Sequence, residues 1–149
     1  MPVITIGSGS GEGTRYIESA KGREAAWSAK WDGANVTFEN GGIAGTMKGV
    51  EGDIYTDNVA TTHFISEDGE AEKGTAVLRL SGNVKVHCKQ PEAVLTCNSL
   101  EWDPRTHVIK AKGNVSLNSD RFQFGVFAEL WSNADLTLVS TPDYFKNVK

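Results

Sequence analysis

Hydrophobic and polar residues alternate with a period of two along two long stretches of this chain. In residues 76–88 the even positions are apolar or small and the odd positions are mostly polar. In residues 109–117 the odd positions are apolar or small instead. Because successive side chains of a β-strand point to opposite faces, each stretch predicts a long strand with one buried face.

The two stretches are copies of one pattern. Residues 80–84 (Leu-Ser-Gly-Asn-Val) return as residues 111–115 (Ala-Lys-Gly-Asn-Val), displaced by 31 positions. A repeated sequence unit implies a repeated structural unit. Glycine at an inward position of a strand marks a bend or a bulge, so each strand is predicted to turn a corner at its Gly-Asn pair.

Shorter alternating stretches fill most of the remaining chain and are separated by turn sequences such as residues 39–42 (Glu-Asn-Gly-Gly). This order predicts a meander of about ten to a dozen antiparallel strands. After the first long strand, the parity of the apolar residues changes near Asn98 and Ser99, which predicts a bulged residue there. The only candidate helix is residues 16–26, and Gly22 interrupts it.

Length and local composition predict one folded domain. A chain of 149 residues can bury a core of its own. Residues 7–13 (Gly-Ser-Gly-Ser-Gly-Glu-Gly) match neither of the two glycine-rich nucleotide-binding motifs. The Lys of the P-loop is missing, and so is the third glycine of the dinucleotide-binding motif. We therefore predict a linker-like segment over residues 1–24, a single β-domain over residues 25–145 and a polar tail over residues 146–149.

The charge balance argues against a nucleic-acid-binding protein, and the short apolar runs argue against a membrane-spanning helix. The 19 acidic residues outnumber the 15 basic ones, and the basic residues form no run. Nucleic-acid binding requires neutralisation of phosphates, so no nucleic-acid partner is expected. No apolar run approaches the roughly 20 residues that a membrane-spanning helix requires.

Candidate chemical sites are weak. A zinc site would have to combine His87 with Cys88, but adjacent strand residues face opposite ways and their spacing to Cys97 and His107 fits no known zinc motif. The paired carboxylates Glu101 and Asp103 precede a proline turn and are interpreted as a solvated turn. The sequence therefore predicts no catalytic residue, no metal site and no cofactor.

Cys88 and Cys97 have inward parity on the two arms of one predicted hairpin. We expect them to lie close together and to be able to form a disulfide in an oxidising compartment. A turn centred on Pro91 places Cys88 opposite Val94 instead, so this pairing depends on the register.

Residues 80–86, 95–104 and 112–117 together resemble the LptC and LptA bridge proteins of the lipopolysaccharide export system. These proteins repeat a leucine-x-glycine-asparagine-valine strand followed by a leucine-x-tyrosine-aspartate hairpin, and Trp102 stands in the tyrosine place. Residues 27–31 and 47–55 look more like the inner-membrane-anchored LptC member than the soluble LptA member. The resemblance covers about residues 25–139.

The resemblance implies an all-β fold, a twisted antiparallel and partly open β-jelly roll. It also implies a non-enzymatic periplasmic conduit that carries lipopolysaccharide or a similar amphiphile towards the outer membrane. The implied partners are the lipid, like-fold export proteins that dock at the sheet edges, and an inner-membrane ABC transporter; homo-oligomers are left open. The family is usually anchored by an amino-terminal membrane helix, for which this sequence contains no segment.

The carboxyl-terminal half is richer in large apolar residues than a small core requires, so we expect its inward residues to line a lipid-accessible groove. These residues are Leu80, Val84, Val86, Leu95, Trp102, Ile109, Val115, Leu117, Phe122 and Phe124. A closed core would give the same alternation. The alternative hypothesis is therefore a structural or assembly module with a packed interior that pairs through its edge strands.

Overall fold

The computed structural model of the chain describes residues 4–7, 10–19, 22–39, 42–56, 59–72, 77–89, 92–119, 123–133, 136 and 139–140. These residues form eleven β-strands and contain no helix. In chain order the strands are β1 (Ile4–Gly7), β2 (Gly11–Ser19), β3 (Gly22–Trp31), β4 (Gly33–Glu39), β5 (Gly42–Thr56), β6 (Val59–Ala71), β7 (Leu78–Lys89), β8 (Glu92–Asp103), β9 (Val108–Ser119), β10 (Gln123–Ser132) and β11 (Val139–Ser140).

The strands form one open antiparallel sheet in the order β1-β4-β5-β6-β7-β8-β9-β10-β11, with β2 paired to β3 and β3 paired to β5. β3 and β4 lie end to end along the same side of β5: Trp27 is opposite Ile54 and Ala34 is opposite Met47. Together they act as one long strand that is interrupted at Asp32. The prediction of an all-β, antiparallel, partly open jelly-roll-like fold is confirmed.

The amino-terminal segment corrects two expectations. Residues 4–7 and 11–19 are strands rather than a linker, because β1 pairs with β4 and every residue of β2 pairs with β3. The candidate helix over residues 16–26 is wrong, because the chain reverses between Ser19 and Gly22 into the β2–β3 hairpin. The other predicted domain boundaries stay predictions, and the tail 146–149 lies outside the described residues.

A crease crosses the long strands of the sheet at one level. We define it by Gly49, Glu67, the Gly82–Asn83 pair, Asn98 and the Gly113–Asn114 pair. In both Gly-Asn pairs the backbone is left-handed, with φ of 82° and 48° in the first and 80° and 50° in the second. The pairing register shifts at these pairs, so that Gly82 and Asn83 together face the single residue Asn98. The predicted corners at the Gly-Asn pairs are therefore confirmed.

Glycine is required in the crease because a polar side chain of the neighbouring strand lies over it. A Cβ atom at Gly82 would lie 2.5 Å from Glu67 Oε1, and one at Gly113 would lie 2.8 Å from Asn98 Nδ2. Asn83 Nδ2 also donates a 2.9 Å hydrogen bond to Glu67 Oε2. Asn98 follows Glu67 by the same 31 positions that separate the glycines, so the repeating unit is one hairpin.

The crease also changes which residues face inward. In β8, Cys97 is buried before the crease and Leu100 after it, while Asn98 between them is exposed. The change of parity near Asn98 and Ser99 is therefore present in the structure. The prediction that the bulged residue lies there is wrong, because the extra residue belongs to the neighbouring strands at Gly82–Asn83 and Gly113–Asn114.

Candidate functional site

The inward faces on both sides of the crease form one apolar interior. Its buried side chains belong to a single hydrophobic cluster that extends from β3 to β10 and includes Leu136. The largest fully buried members are Trp27, Met47, Ile54, Phe64, Leu78, Leu80, Leu95, Trp102, Ile109 and Leu117. We call this cluster the interior.

Eight of the ten residues expected to line a lipid groove lie in the interior, each at most 2% exposed: Leu80, Val84, Val86, Leu95, Trp102, Ile109, Val115 and Leu117. The register places Val86, Leu95 and Leu117 in one row across β7, β8 and β9, and the backbone of Phe124 continues that row in β10. Phe122 lies outside the described residues. That these residues bind lipid stays a prediction.

The amino-terminal half contributes residues to the interior that the sequence argument did not assign to it. Trp27 of β3 and Ile54 of β5 are paired in the sheet and have no exposed surface. Phe64 of β6 and Met47 of β5 are buried equally well. The alternation of Trp27, Ala29 and Trp31 is the sequence signal that could have predicted this amino-terminal part of the interior.

The described groove residues in the interior are almost fully buried, each at most 2% exposed. A depression of about 550 Å³ lies on the outer face, near the crease, and its lining includes Lys48, Asp68, Ser81, Ser99 and Lys112. An acyl chain that enters among the buried groove residues would therefore have to separate facing side chains.

Two polar groups inside this apolar interior lack partners. Trp31 is 3% exposed and Trp102 is fully buried. Neither indole Nε1 has a hydrogen-bond acceptor in the described part of the chain. A buried N–H without an acceptor is rare, because it forfeits the hydrogen bond that it makes with water when exposed.

The outer face carries a row of residues across β6 to β10, in which the charges of Glu70, Arg79, Glu101 and Lys110 alternate and Trp131 is the last member. Arg79 lies 3.5 Å from Glu70 and 3.1 Å from Glu101. Lys110 lies 4.0 Å from Glu101, and its ammonium lies 4.4 Å from the centre of the Trp131 ring. Exposed pairs of this kind contribute at most about 1 kcal/mol each. The row therefore marks the solvated face and favours one strand register.

His63 and His107 each make a local contact within the protein. His63 bridges Asp53 at 3.1 Å and Glu51 at 3.3 Å on the outer face. His107 lies in the turn after β8 and packs edge-on against Trp102. Among the described residues, no group of three or more His, Cys, Asp or Glu side chains could hold a metal ion.

Asp103 organises the turn between β8 and β9. Its carboxylate accepts hydrogen bonds from the backbone N–H and the Nε of Arg105 at 2.9 and 3.1 Å. Burial alone would raise the pKa of Asp103, but the hydrogen bonds from Arg105 outweigh it and lower the pKa. Asp103 therefore has a structural partner, and Glu101 belongs to the charged row.

The two cysteines do not form a disulfide, which corrects that expectation. Cys88 is opposite Ala93 and Cys97 is opposite Val84. The offset of four residues separates them by roughly 13 Å along the strands, beyond the reach of a disulfide. Burial raises the pKa of Cys97 to about 12, although backbone hydrogen bonds from Lys112 and Ser99 oppose this shift. Cys97 is therefore a protonated thiol within the interior.

The fold and the interior define a class of protein: an open, creased antiparallel sheet that encloses apolar surface. A model of the family described as "Lipopolysaccharide-assembly, LptC-related" matches residues 45–125, which is more than half of the chain. The chain belongs to this family, which confirms the resemblance seen in the sequence. No curated protein matches the chain.

Family membership assigns the chain a role in the lipopolysaccharide transport bridge of the cell envelope, on its periplasmic side. The family is a transport component. The described residues include no helix that is long and apolar enough to cross a membrane.

Proposed function

We propose that this domain is a non-enzymatic lipid-binding conduit, in which acyl chains of lipopolysaccharide or a similar amphiphile lie in the interior on their way to the outer membrane. The observation that carries the proposal is an apolar interior enclosed by a sheet that remains open. The sheet begins with β1 and β2 and ends with β10 and β11, and the described strands at these two ends do not pair with each other. An apolar chain can enter between such edges without breaking a strand ladder.

The energetics favour this exchange. An acyl chain that enters replaces contacts between side chains with contacts between side chains and lipid, so the protein loses little dispersion energy. The acyl chain meanwhile leaves water, and each buried methylene contributes about 0.8 kcal/mol. Burial of the groove residues in the free protein is therefore compatible with lipid binding.

Photo-crosslinking tests the proposal. Leu117 faces the interior and the adjacent Asn118 faces solvent, so a photoreactive residue at either position samples one face of the same strand. We expect lipopolysaccharide to crosslink at position 117 and not at position 118. Equal crosslinking at the two positions, or none at either, would contradict the conduit.

The second candidate is a structural module with a permanently packed core, and the near-complete burial of the groove residues favours it. Val86→Asp does not discriminate between the two candidates. Val86 has no exposed surface, so a charge there would cost several kcal/mol and unfold either protein. The crosslink at position 117 does discriminate, because a packed core excludes lipid.

The same proposal also implies specific protein partners. The open edges would dock like-fold export proteins by strand addition. An inner-membrane ABC transporter would supply the energy for transport. Homo-oligomers would use the same edges, so partner docking and self-association would compete.

A further inference from the structure

The depression on the outer face lies between two rows of side chains that cross the strands. One is the row of alternating charges on β6 to β10. The other, which we call the serine row, is formed by Lys48, Asp68, Ser81, Ser99 and Lys112, which pair in that order across β5 to β9. Residues of both rows line the depression, whose volume is about 550 Å³. The two short serines stand between longer side chains of their row, so the depression is open above them.

Three hydrogen-bond donors of the serine row are not used within the protein. In the described part of the chain, the hydroxyls of Ser81 and Ser99 and the ammonium of Lys112 form neither a side-chain hydrogen bond nor an ion pair. Ser81 is opposite Ser99, and Ser99 is opposite Lys112. Directly opposite residues on one face of a sheet have Cβ atoms about 4.5–5.5 Å apart. The three donors are therefore close neighbours along one side of the depression.

The carboxylates that line the depression each lie beside a basic side chain. Asp68 forms an ion pair with Lys48. Arg79 lies 3.5 Å from Glu70 and 3.1 Å from Glu101. The lining contains four basic and three acidic residues, so one positive charge is in excess. That excess charge lies on the β9 lysine of the serine row, beside the two unused hydroxyls.

We propose that the depression binds a phosphoryl group, carried as a phosphate monoester by a soluble sugar or by a lipid headgroup. A phosphate monoester has three terminal oxygens that accept strong hydrogen bonds and a charge of about −1.5 to −2 at neutral pH. Ser81, Ser99 and Lys112 supply one donor for each oxygen, and Lys112 also supplies the opposite charge. A carboxylate has only two oxygens and would use the three donors less well. The site lies on the face opposite the interior and does not depend on the proposed conduit.

Calorimetric titration of the full chain with three sugars tests the chemistry of the ligand. Glucose 1-phosphate, glucuronate and glucose share a ring and differ in the anion that they carry. We expect glucose 1-phosphate to bind, glucuronate to bind several-fold more weakly and glucose not to bind.

Flotation with phosphatidylcholine vesicles, with and without phosphatidic acid, tests the lipid source, because the headgroup of phosphatidic acid is the same phosphate monoester. Binding of glucose 1-phosphate alone assigns the site to a soluble ligand. Binding of the phosphatidic acid vesicles alone assigns it to a headgroup. Either result supports the site if the binding requires Lys112.

Lys112→Gln removes the excess charge and one donor, and it should weaken binding of the phosphate-bearing probe about tenfold. The double variant Ser81→Ala and Ser99→Ala should have an effect of similar size. Lys85→Gln is the matched control, because Lys85 is also an exposed lysine of the outer face but does not line the depression. It should leave binding unchanged. Thermal unfolding followed by circular dichroism should show that all of these variants are folded.

Three results would overturn the proposal. Failure of both glucose 1-phosphate and phosphatidic acid vesicles to bind would show that the depression has no affinity for phosphate monoesters. Equal affinities for glucose 1-phosphate and glucuronate would show that the three donors do not converge on one group. An equal loss of binding in Lys112→Gln and Lys85→Gln would assign the binding to the overall charge of the face. Each of these results leaves the conduit untouched, since the crosslink at position 117 tests it separately.

Discussion

At the scale of single residues, the glycines of the crease are the most constrained positions. Gly113 has a φ of 80°, and its missing side chain makes room for Asn98. Asn114 follows with a φ of 50°, a conformation that asparagine tolerates better than most residues. Conformation and space therefore both require glycine at position 113.

We predict that Gly113→Ala lowers the free energy of unfolding by about 1–3 kcal/mol, because it combines a disfavoured φ with a contact against Asn98. The measurement is urea unfolding followed by circular dichroism. Gly33→Ala is the matched control, since a Cβ atom there would meet nothing within 4 Å, and it should change stability little. Equal effects of the two substitutions would show that the crease does not require glycine.

The sequence was sufficient to predict the corners at both Gly-Asn pairs, because a small residue interrupts a regular alternation. It could not reveal that Glu67 and Asn98 lie over the glycines, because those contacts depend on the register between strands. The two unsatisfied indoles were missed for a similar reason: a tryptophan in an alternating strand predicts burial but not whether its N–H finds an acceptor.

At the scale of strands, the register between β7 and β8 decides which inward residues meet. Val84 and Cys97 lie directly opposite one another, and both are buried. Cys88 is displaced from this pair along β7. The hairpin could be predicted from the alternation and the turn near Pro91, but its register could not. Cys88 lies opposite Ala93 and not Val94, because the turn is centred one half-residue before Pro91.

We predict that Val84→Cys forms a disulfide with Cys97 under mild oxidation, since directly opposite strand residues have Cα atoms about 4.5–5.5 Å apart. Lys85→Cys is the matched control, because position 85 faces solvent while Cys97 faces the interior. Non-reducing peptide mapping should find the bridge only in the first variant. A native bridge between Cys88 and Cys97 in either variant would disprove the register.

The amino-terminal strands show a different limit of sequence reasoning. Their glycine-rich and serine-rich composition is typical of linkers, yet β2 pairs along its whole length with β3. Gly11 is required there because the ring of Trp31 packs against its backbone. The composition therefore gave a wrong linker prediction, because these small residues allow the strands to pack closely.

At the scale of the whole molecule, β10 is the strand at which we expect a partner to dock. In the described part of the chain, β11 pairs with β10 at Trp131 and Ser132. Val126 and Phe127, further along β10, are 70% and 37% exposed. Exposed apolar residues on an open edge favour strand addition by a partner.

We predict that a photoreactive residue at Ala128, which is exposed on β10, captures a like-fold export protein or a second copy of the chain. A photoreactive residue at Lys85, exposed in the middle of the sheet, is the control and should capture neither. The measurement is crosslinking of purified components followed by mass spectrometry. Capture at position 85 but not at position 128 would place docking on the sheet face instead of its edge.

The spacing of the crease has a consequence for how the domain can change in length. The polar residue and the glycine beneath it recur at the same interval, from Glu67 and Gly82 to Asn98 and Gly113, and each interval contains one hairpin. A tandem duplication of that interval would insert two strands whose corners align with those already present. Evolution or engineering could therefore lengthen the domain in steps of one hairpin, without redesigning the bend, simply by changing the copy number of this unit.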